Sequence, residues 1–327
     1  MSIDVSIDVS MNVSIGVSIG VRAWCLGLSL AGLTLGPACD RTQPPASTAR
    51  GDAAAKGADD APDGAPDETR AKAEGGGPAP TVEEQPKPPQ IEYAEAGGLH
   101  YLEIVTGGAD PSTALPMRVA IHGLGDRPES FSHLLDAFPQ RARVLLPRGI
   151  DDYEGGFSWF GTRARDPDVD KLASGIGNAA DVIAKGLAVL AEERPTKGKP
   201  IVTGFSQGGM LTFALAIHHP EVVGYAVPVG GWLPPPLWPG AKPAAEGPTV
   251  VALHGTDDAA VRYEPTKAAV EKLAELEFPV TLQTYEGVPH AIVPPMHRDL
   301  TDLLVDAVTA AAAQPEQQPE QQPEEQP

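Results

Sequence analysis

The stretch Ile201-Val202-Thr203-Gly204-Phe205-Ser206-Gln207-Gly208-Gly209 joins a short apolar run to a glycine-flanked serine. Residues 204–208 satisfy G-x-S-x-G. The run before them reads as a buried strand, and the pattern after them predicts a helix over 208–218. A serine on such a strand-to-helix turn is lifted above the sheet edge, and the glycines let neighbouring backbone crowd in. The helix that follows aims its first N–H groups at any anion developing there. A plain loop serine between glycines is the bland alternative. The strand before and the helix after favour a nucleophile at Ser206.

The same alternation runs through residues 91–311. Short apolar runs predict strands over 100–105, 117–121, 143–146, 200–203, 223–229, 248–253 and 279–284. Most are continuous rather than alternating, as in strands covered on both faces of a parallel sheet. Helical spacing places helices over 128–138 and 175–193, with others over 264–276 and 298–311. Strand and helix in turn predict an α/β domain with a doubly wound sheet.

A serine hydroxyl needs a base to take its proton, and that base needs an acid to orient it. In this kind of sheet the acid and then the histidine follow the serine along the chain. His290 lies in Gly287-Val288-Pro289-His290-Ala291, a loop after the last strand, where a ring can swing over the sheet. His297 falls on or near the C-terminal helix and reads as a solvated helix residue, so His290 is the candidate base. Asp257 and Asp258 both sit just past the 248–253 strand. One of them orients the imidazole, and the other is a capping or surface carboxylate. A further loop, His122-Gly123-Leu124-Gly125-Asp126, follows the 117–121 strand. It can present the Leu124 N–H toward an oxyanion, with the Gln207 N–H as second donor. His122 could also ligate a metal, but no second ligand is spaced nearby, so a structural histidine holding the loop is the favoured reading. This chemistry calls for no metal and no cofactor.

Taken together, His122-Gly123-Leu124-Gly125-Asp126, Gly204-Phe205-Ser206-Gln207-Gly208-Gly209, His254-Gly255-Thr256-Asp257-Asp258 and His290 resemble the phospholipase/carboxylesterase family, which includes the acyl-protein thioesterases. Phe157-Ser158-Trp159-Phe160 is similar to its Ser-Trp-Phe segment. The resemblance covers essentially all of 91–311. It implies an α/β-hydrolase fold, with a mostly parallel sheet flanked by helices, and serine hydrolysis of carboxylic esters or thioesters. It implies Ser206, Asp258 and His290 as the triad, the acid being the fifth residue of the H-G-x-x-D motif, and Leu124 and Gln207 as oxyanion donors. The chain departs from the family pattern at Pro289, where a small residue is usual, and at Ala260-Val261, where a valine pair is usual. Both departures bear on substrate preference. The expected substrate is a small-molecule or lipid acyl ester. A peptidase, or an acyl esterase acting on aryl or carbohydrate esters, would use the same triad. A non-catalytic envelope lipoprotein with a hydrolase-like binding domain is the reading from another class, and the complete set of reactive residues argues against it.

The remaining 100 or so of the 327 residues have a different composition. Residues 23–35 form an apolar run of 13 behind Arg22, too short to span a bilayer but suited to an export signal. Gly36-Pro37-Ala38-Cys39 follows and resembles a lipoprotein box, which makes Cys39 a candidate lipidation site and residues 1–39 a leader. Residues 40–90 are rich in Pro, Gly and Ala, and Val82 is their only branched aliphatic. Such a stretch cannot bury enough apolar area to offset its ordering entropy, so a disordered tether is expected, spanning about 40 Å as a coil. The Pro/Glu/Gln tail, 312–327, is read in the same way. An exported, membrane-anchored enzyme is therefore expected. The two cysteines, Cys25 and Cys39, both lie in the leader, so the folded domain has no disulfide and no cysteine nucleophile. A net charge of −20 with no Lys/Arg cluster excludes nucleic acid as a partner.

Overall fold

The computed structural model describes residues 91–132 and 138–316. The leader, Cys39, the tether and the tail beyond 316 lie outside the described residues. Among those described, no helix is long and apolar enough to cross a membrane.

In chain order the strands are β1 (Ala94–Ala96), β2 (Leu99–Val105), β3 (Met117–Ile121), β4 (Arg143–Pro147), β5 (Asp151–Tyr153), β6 (Gly156–Ser158), β7 (Ile201–Phe205), β8 (Tyr225–Val229), β9 (Thr249–Gly255) and β10 (Val280–Tyr285). The helices are α1 (Pro128–Phe131), α2 (Val169–Glu193), α3 (Gln207–His218), α4 (Tyr263–Glu275) and α5 (Pro294–Ala312). Eight strands form one sheet in the order β1-β2-β4-β3-β7-β8-β9-β10, and β5 pairs with β6 in a separate hairpin. The first two pairings, β1 with β2 and β2 with β4, are antiparallel; every other pairing in the sheet is parallel. This is the α/β-hydrolase arrangement.

The two faces of the sheet are covered by different helices, and successive strand residues feed opposite layers. Met117, Val119, Ile121, Val202 and Ala226 pack in one layer with α2, α3 and α4. Ile201, Val227 and Val229 pack in the other with Met296, Leu300, Leu304 and Val308 of α5. That two-sided burial explains the continuous apolar strands in the sequence. Each Leu, Ile or Val so buried contributes roughly 1.5–3 kcal/mol. Helix α3 is buried from Gln207 to Ile217, between β3, β7 and β8 on one side and α2 on the other. The residue before it is thereby anchored to a buried helix packed on three central strands.

Several boundaries differ from the sequence expectation for local reasons. Helix α2 begins six residues earlier, at Val169, because Asp168 caps it by accepting the Lys171 N–H at 3.0 Å. Helix α5 begins at Pro294 rather than 298, with proline in its first turn, where the missing N–H is not needed. The helix expected over 128–138 is helical at Pro128–Phe131; residues 133–137 lie outside the described residues. Strand β1 and the β5–β6 hairpin are too short to show a period, and neither was expected.

Candidate active site

Strands β3, β7 and β9 all end at the same edge of the sheet, and the loops leaving them meet there. This carboxyl edge is where open α/β sheets bind ligands. Ser206 follows β7 with φ 58° and ψ −114°, a backbone conformation that side chains other than glycine rarely hold. It is locked at both ends. Its N–H donates to the Val229 carbonyl at 3.0 Å, and its own carbonyl accepts the Met210 N–H at 3.0 Å. The flanking glycines are required by contact. A Cβ on Gly208 would lie 2.0 Å from the Ile121 oxygen, and one on Gly204 would lie 2.5 Å from the Gly208 backbone. The turn therefore presses directly against the end of β3.

The Ser206 hydroxyl lies 3.0 Å from His290 Nε2, and His290 Nδ1 lies 2.6 Å from Asp258 Oδ2. The His290 ring stacks on Phe205, with centroids 4.6 Å apart, which fixes its plane. The other Asp258 oxygen accepts the backbone N–H groups of Ala260 at 2.9 Å and Val261 at 2.8 Å. Burial alone would push the Asp258 carboxyl up. Hydrogen bonds from His254, His290 and the Val261 N–H outweigh it and hold the group far below the usual carboxylate range. Asp258 is therefore ionised at neutral pH, so His290 carries its proton on Nδ1 and offers Nε2 as an acceptor to the Ser206 O–H. That geometry can draw a proton off the serine oxygen.

Of the two aspartates left open by the residues alone, the structure brings Asp258 to His290. Asp257 is exposed, and its backbone N–H donates to the Val288 carbonyl at 3.1 Å. His297 lies on α5. Leu124 and Gln207 both border a cleft of about 150 Å³ that opens at Ser206. The Leu124 N–H donates to no backbone carbonyl among the described residues, and Gln207 is the first residue of α3, where an N–H has no partner within the helix.

His122 holds the loop. Its Nδ1 lies 2.7 Å from the Gly123 carbonyl, and its Nε2 accepts the Gly149 N–H at 3.0 Å. One nitrogen must donate and the other accept, so the ring is a neutral Nδ1–H tautomer and has no lone pair left for a metal. Burial pushes its proton affinity down. A folded-state value below the unfolded one means that protonation favours unfolding. This contribution is fully present above about pH 6.5 and is lost as pH falls. The denaturant midpoint of the wild type should drop between pH 7 and pH 5. His122→Asn, which can still donate and accept but does not titrate, should lower stability and flatten part of that slope. Equal slopes in the two proteins would remove His122 from the account.

Three features were not read from the sequence. The Gln207 side chain is tied to the Ser-Trp-Phe segment: its amide nitrogen donates to the Phe160 carbonyl at 2.8 Å and its oxygen accepts the Trp159 N–H at 3.0 Å. The Trp159 indole N–H donates to the His122 carbonyl at 3.0 Å, so one tryptophan braces the loop that carries Leu124. His254, buried at the end of β9, donates from Nε2 to the Val261 carbonyl at 2.9 Å and sits 3.4 Å from Asp258 Oδ2. Its position four residues before Asp258 was the available signal. Two larger grooves, about 480 and 610 Å³, open at the opposite edge of the sheet around Lys199, Pro220 and Gly247. Neither is bordered by Ser206 or His290, so size does not choose the site.

The phospholipase/carboxylesterase family model matches residues 101–306, the greater part of the chain. The chain belongs to this family. As a phospholipase/carboxylesterase family member it is a carboxylic ester hydrolase of the serine type. Acyl-protein thioesterase 1 of Mycosarcoma maydis is 25% identical over 224 residues, covering 58% of this chain and 90% of that protein. Carboxylesterase SOBER1 of Arabidopsis thaliana is 27% identical over 146 residues, 41% of this chain; the chain spans 61% of that relative. The crystal structure of esterase PE8 superposes with a TM-score of 0.55 at 22% identity, over 64% of this chain and 98% of that one, a likeness of fold.

Proposed function

We propose that the chain hydrolyses small acyl esters and thioesters in two acyl-transfer steps through Ser206. His290 Nε2 takes the hydroxyl proton as Ser206 Oγ attacks the substrate carbonyl. The carbonyl oxygen becomes negative and is held by the N–H groups of Leu124 and Gln207. Asp258 stabilises the imidazolium through Nδ1–H. The tetrahedral species expels the alcohol or thiol, which takes the proton from His290. Water then attacks the acyl-serine by the same route, releasing the acid and restoring the serine.

The observation that carries this reading is the unbroken Asp258–His290–Ser206 chain of hydrogen bonds ending at a strained turn in the mouth of a cleft. The thioesterase and carboxylesterase named above support esters and thioesters as the substrate class. The cleft, at about 150 Å³, is below the usual range for drug-sized ligands, which favours short acyl groups.

A fluorophosphonate probe together with a panel of p-nitrophenyl esters tests the proposal. The probe should label Ser206 and abolish activity, and acetyl and butyryl esters should be hydrolysed faster than the palmitoyl ester. Peptide amides should survive, which separates this reading from a peptidase with the same triad. A folded protein that hydrolyses the esters while Ser206 stays unlabelled would give the reaction to another residue.

A further inference from the structure

The cleft at Ser206 has an uneven lining. Phe160, Met210 and Val261 give it a buried apolar floor, while Arg163 and Arg165 border it as exposed side chains. Among the described residues no carboxylate borders it, although the chain has 44 acidic residues against 24 Lys and Arg. Neither arginine forms an ion pair among the described residues, whereas Arg127, Arg143 and Arg194 all do. Arg163 is held in place. Its guanidinium donates to the Tyr153 hydroxyl and lies 5.8 Å from the centroid of that ring, on the β5–β6 hairpin.

We infer that this cleft selects esters bearing a carboxylate or phosphate close to the reacting carbonyl, with Arg163 and Arg165 binding that anionic group. The inference rests on the ester-hydrolase reading of Ser206 and adds a substrate class to it. Two effects oppose each other. The overall negative charge repels an anionic substrate at long range, but beyond about 8 Å it is largely screened at physiological ionic strength. Among the described residues that border the cleft, the charged side chains are the two guanidinium groups, which present forked donors to carboxylate or phosphate oxygens, while the ionised Asp258 lies behind His290. The local cations therefore decide. A cleft lined by one sign of charge enriches substrate of the other sign by about tenfold or more.

The charge can sit on the acyl part or on the leaving group, and two substrate pairs separate these sources. 4-Nitrophenyl hemisuccinate against 4-nitrophenyl butyrate tests the acyl side. 4-Acetoxybenzoate against 4-acetoxybenzamide tests the leaving-group side. At about 0.15 M NaCl the anionic member of at least one pair should have the higher kcat/KM by about tenfold, and raising NaCl toward about 1 M should shrink the ratio. In Arg163→Gln/Arg165→Gln the ratio should fall toward unity. Lys272→Gln, which removes a cation outside the cleft, should keep the wild-type ratio. A preference that persists in the double variant overturns the assignment to these arginines. Equal or slower hydrolysis of both anionic members by wild type overturns the substrate class while leaving the ester reading intact. If folded protein hydrolyses none of the four, the ester reading itself fails.

Discussion

Ser206→Ala should lower ester turnover by about 10⁴-fold or more, leaving the slow reaction that oxyanion donors and binding alone support. The variant keeps the α3 N-terminus, the Leu124 loop and the Asp258–His290 pair, so what it loses is the oxygen that forms the acyl-enzyme. A stability measurement completes the test. At φ 58° and ψ −114° a side chain is held in a conformation that costs of order 1–3 kcal/mol, and glycine relieves it. Ser206→Gly should thus be as inactive as Ser206→Ala but melt above it. Strain kept at the site and released by the inactive variant is what a functional turn predicts. Substantial residual turnover in a folded Ser206→Ala protein, with kcat within tenfold of wild type, would refute the nucleophile assignment.

Asp258→Asn should reduce kcat by about 10⁴, while Asp257→Asn should cost under about tenfold. The hydrogen bonds around Asp258 say how. One of its oxygens accepts two backbone N–H groups, from Ala260 and Val261, and only an oxygen can stay there. An asparagine must therefore turn its NH2 group toward His290 Nδ1. That forces the imidazole proton onto Nε2, which then meets the Ser206 hydroxyl as a donor and cannot take its proton. The same NH2 faces the Nε2–H of His254, two donors in contact in a buried place. Asp257→Asn disturbs an exposed loop carboxylate and none of these groups. Melting curves on both variants keep unfolding from being read as lost chemistry. The reverse ranking in two folded proteins would move the acid to Asp257.

The layered sheet, the order of its longer strands and helices, and the serine, histidine and glycine-loop residues at its edge were legible in the sequence, while β1 and the β5–β6 hairpin were not. Two-sided burial leaves continuous apolar runs, and a nucleophile turn cannot form without small residues around it. These are local demands, and each leaves its mark within a few residues. The choice between Asp257 and Asp258 was not of this kind. Both stand at the same strand end, and the residues alone left them equal until the family motif favoured the second. The structure sets Asp258 at 2.6 Å from His290 because the Ala260 and Val261 N–H groups draw its carboxylate inward.

The departure from the family's valine pair at Ala260 fits the same account, because Ala260 and Val261 act on Asp258 through their backbone N–H groups, which any non-proline residue there would supply. Their side chains instead border the cleft. What the sequence by itself determined is what hydrophobic burial and backbone sterics write locally: which segments pack, in what order, and where the chain must turn sharply. Only the tertiary structure decided which distant groups meet, such as Trp159 under the His122 loop, Gln207 against Phe160, and Arg163 against Tyr153. Such contacts join residues from tens of positions apart. They depend on the register and twist of a whole sheet, and no single segment carries them.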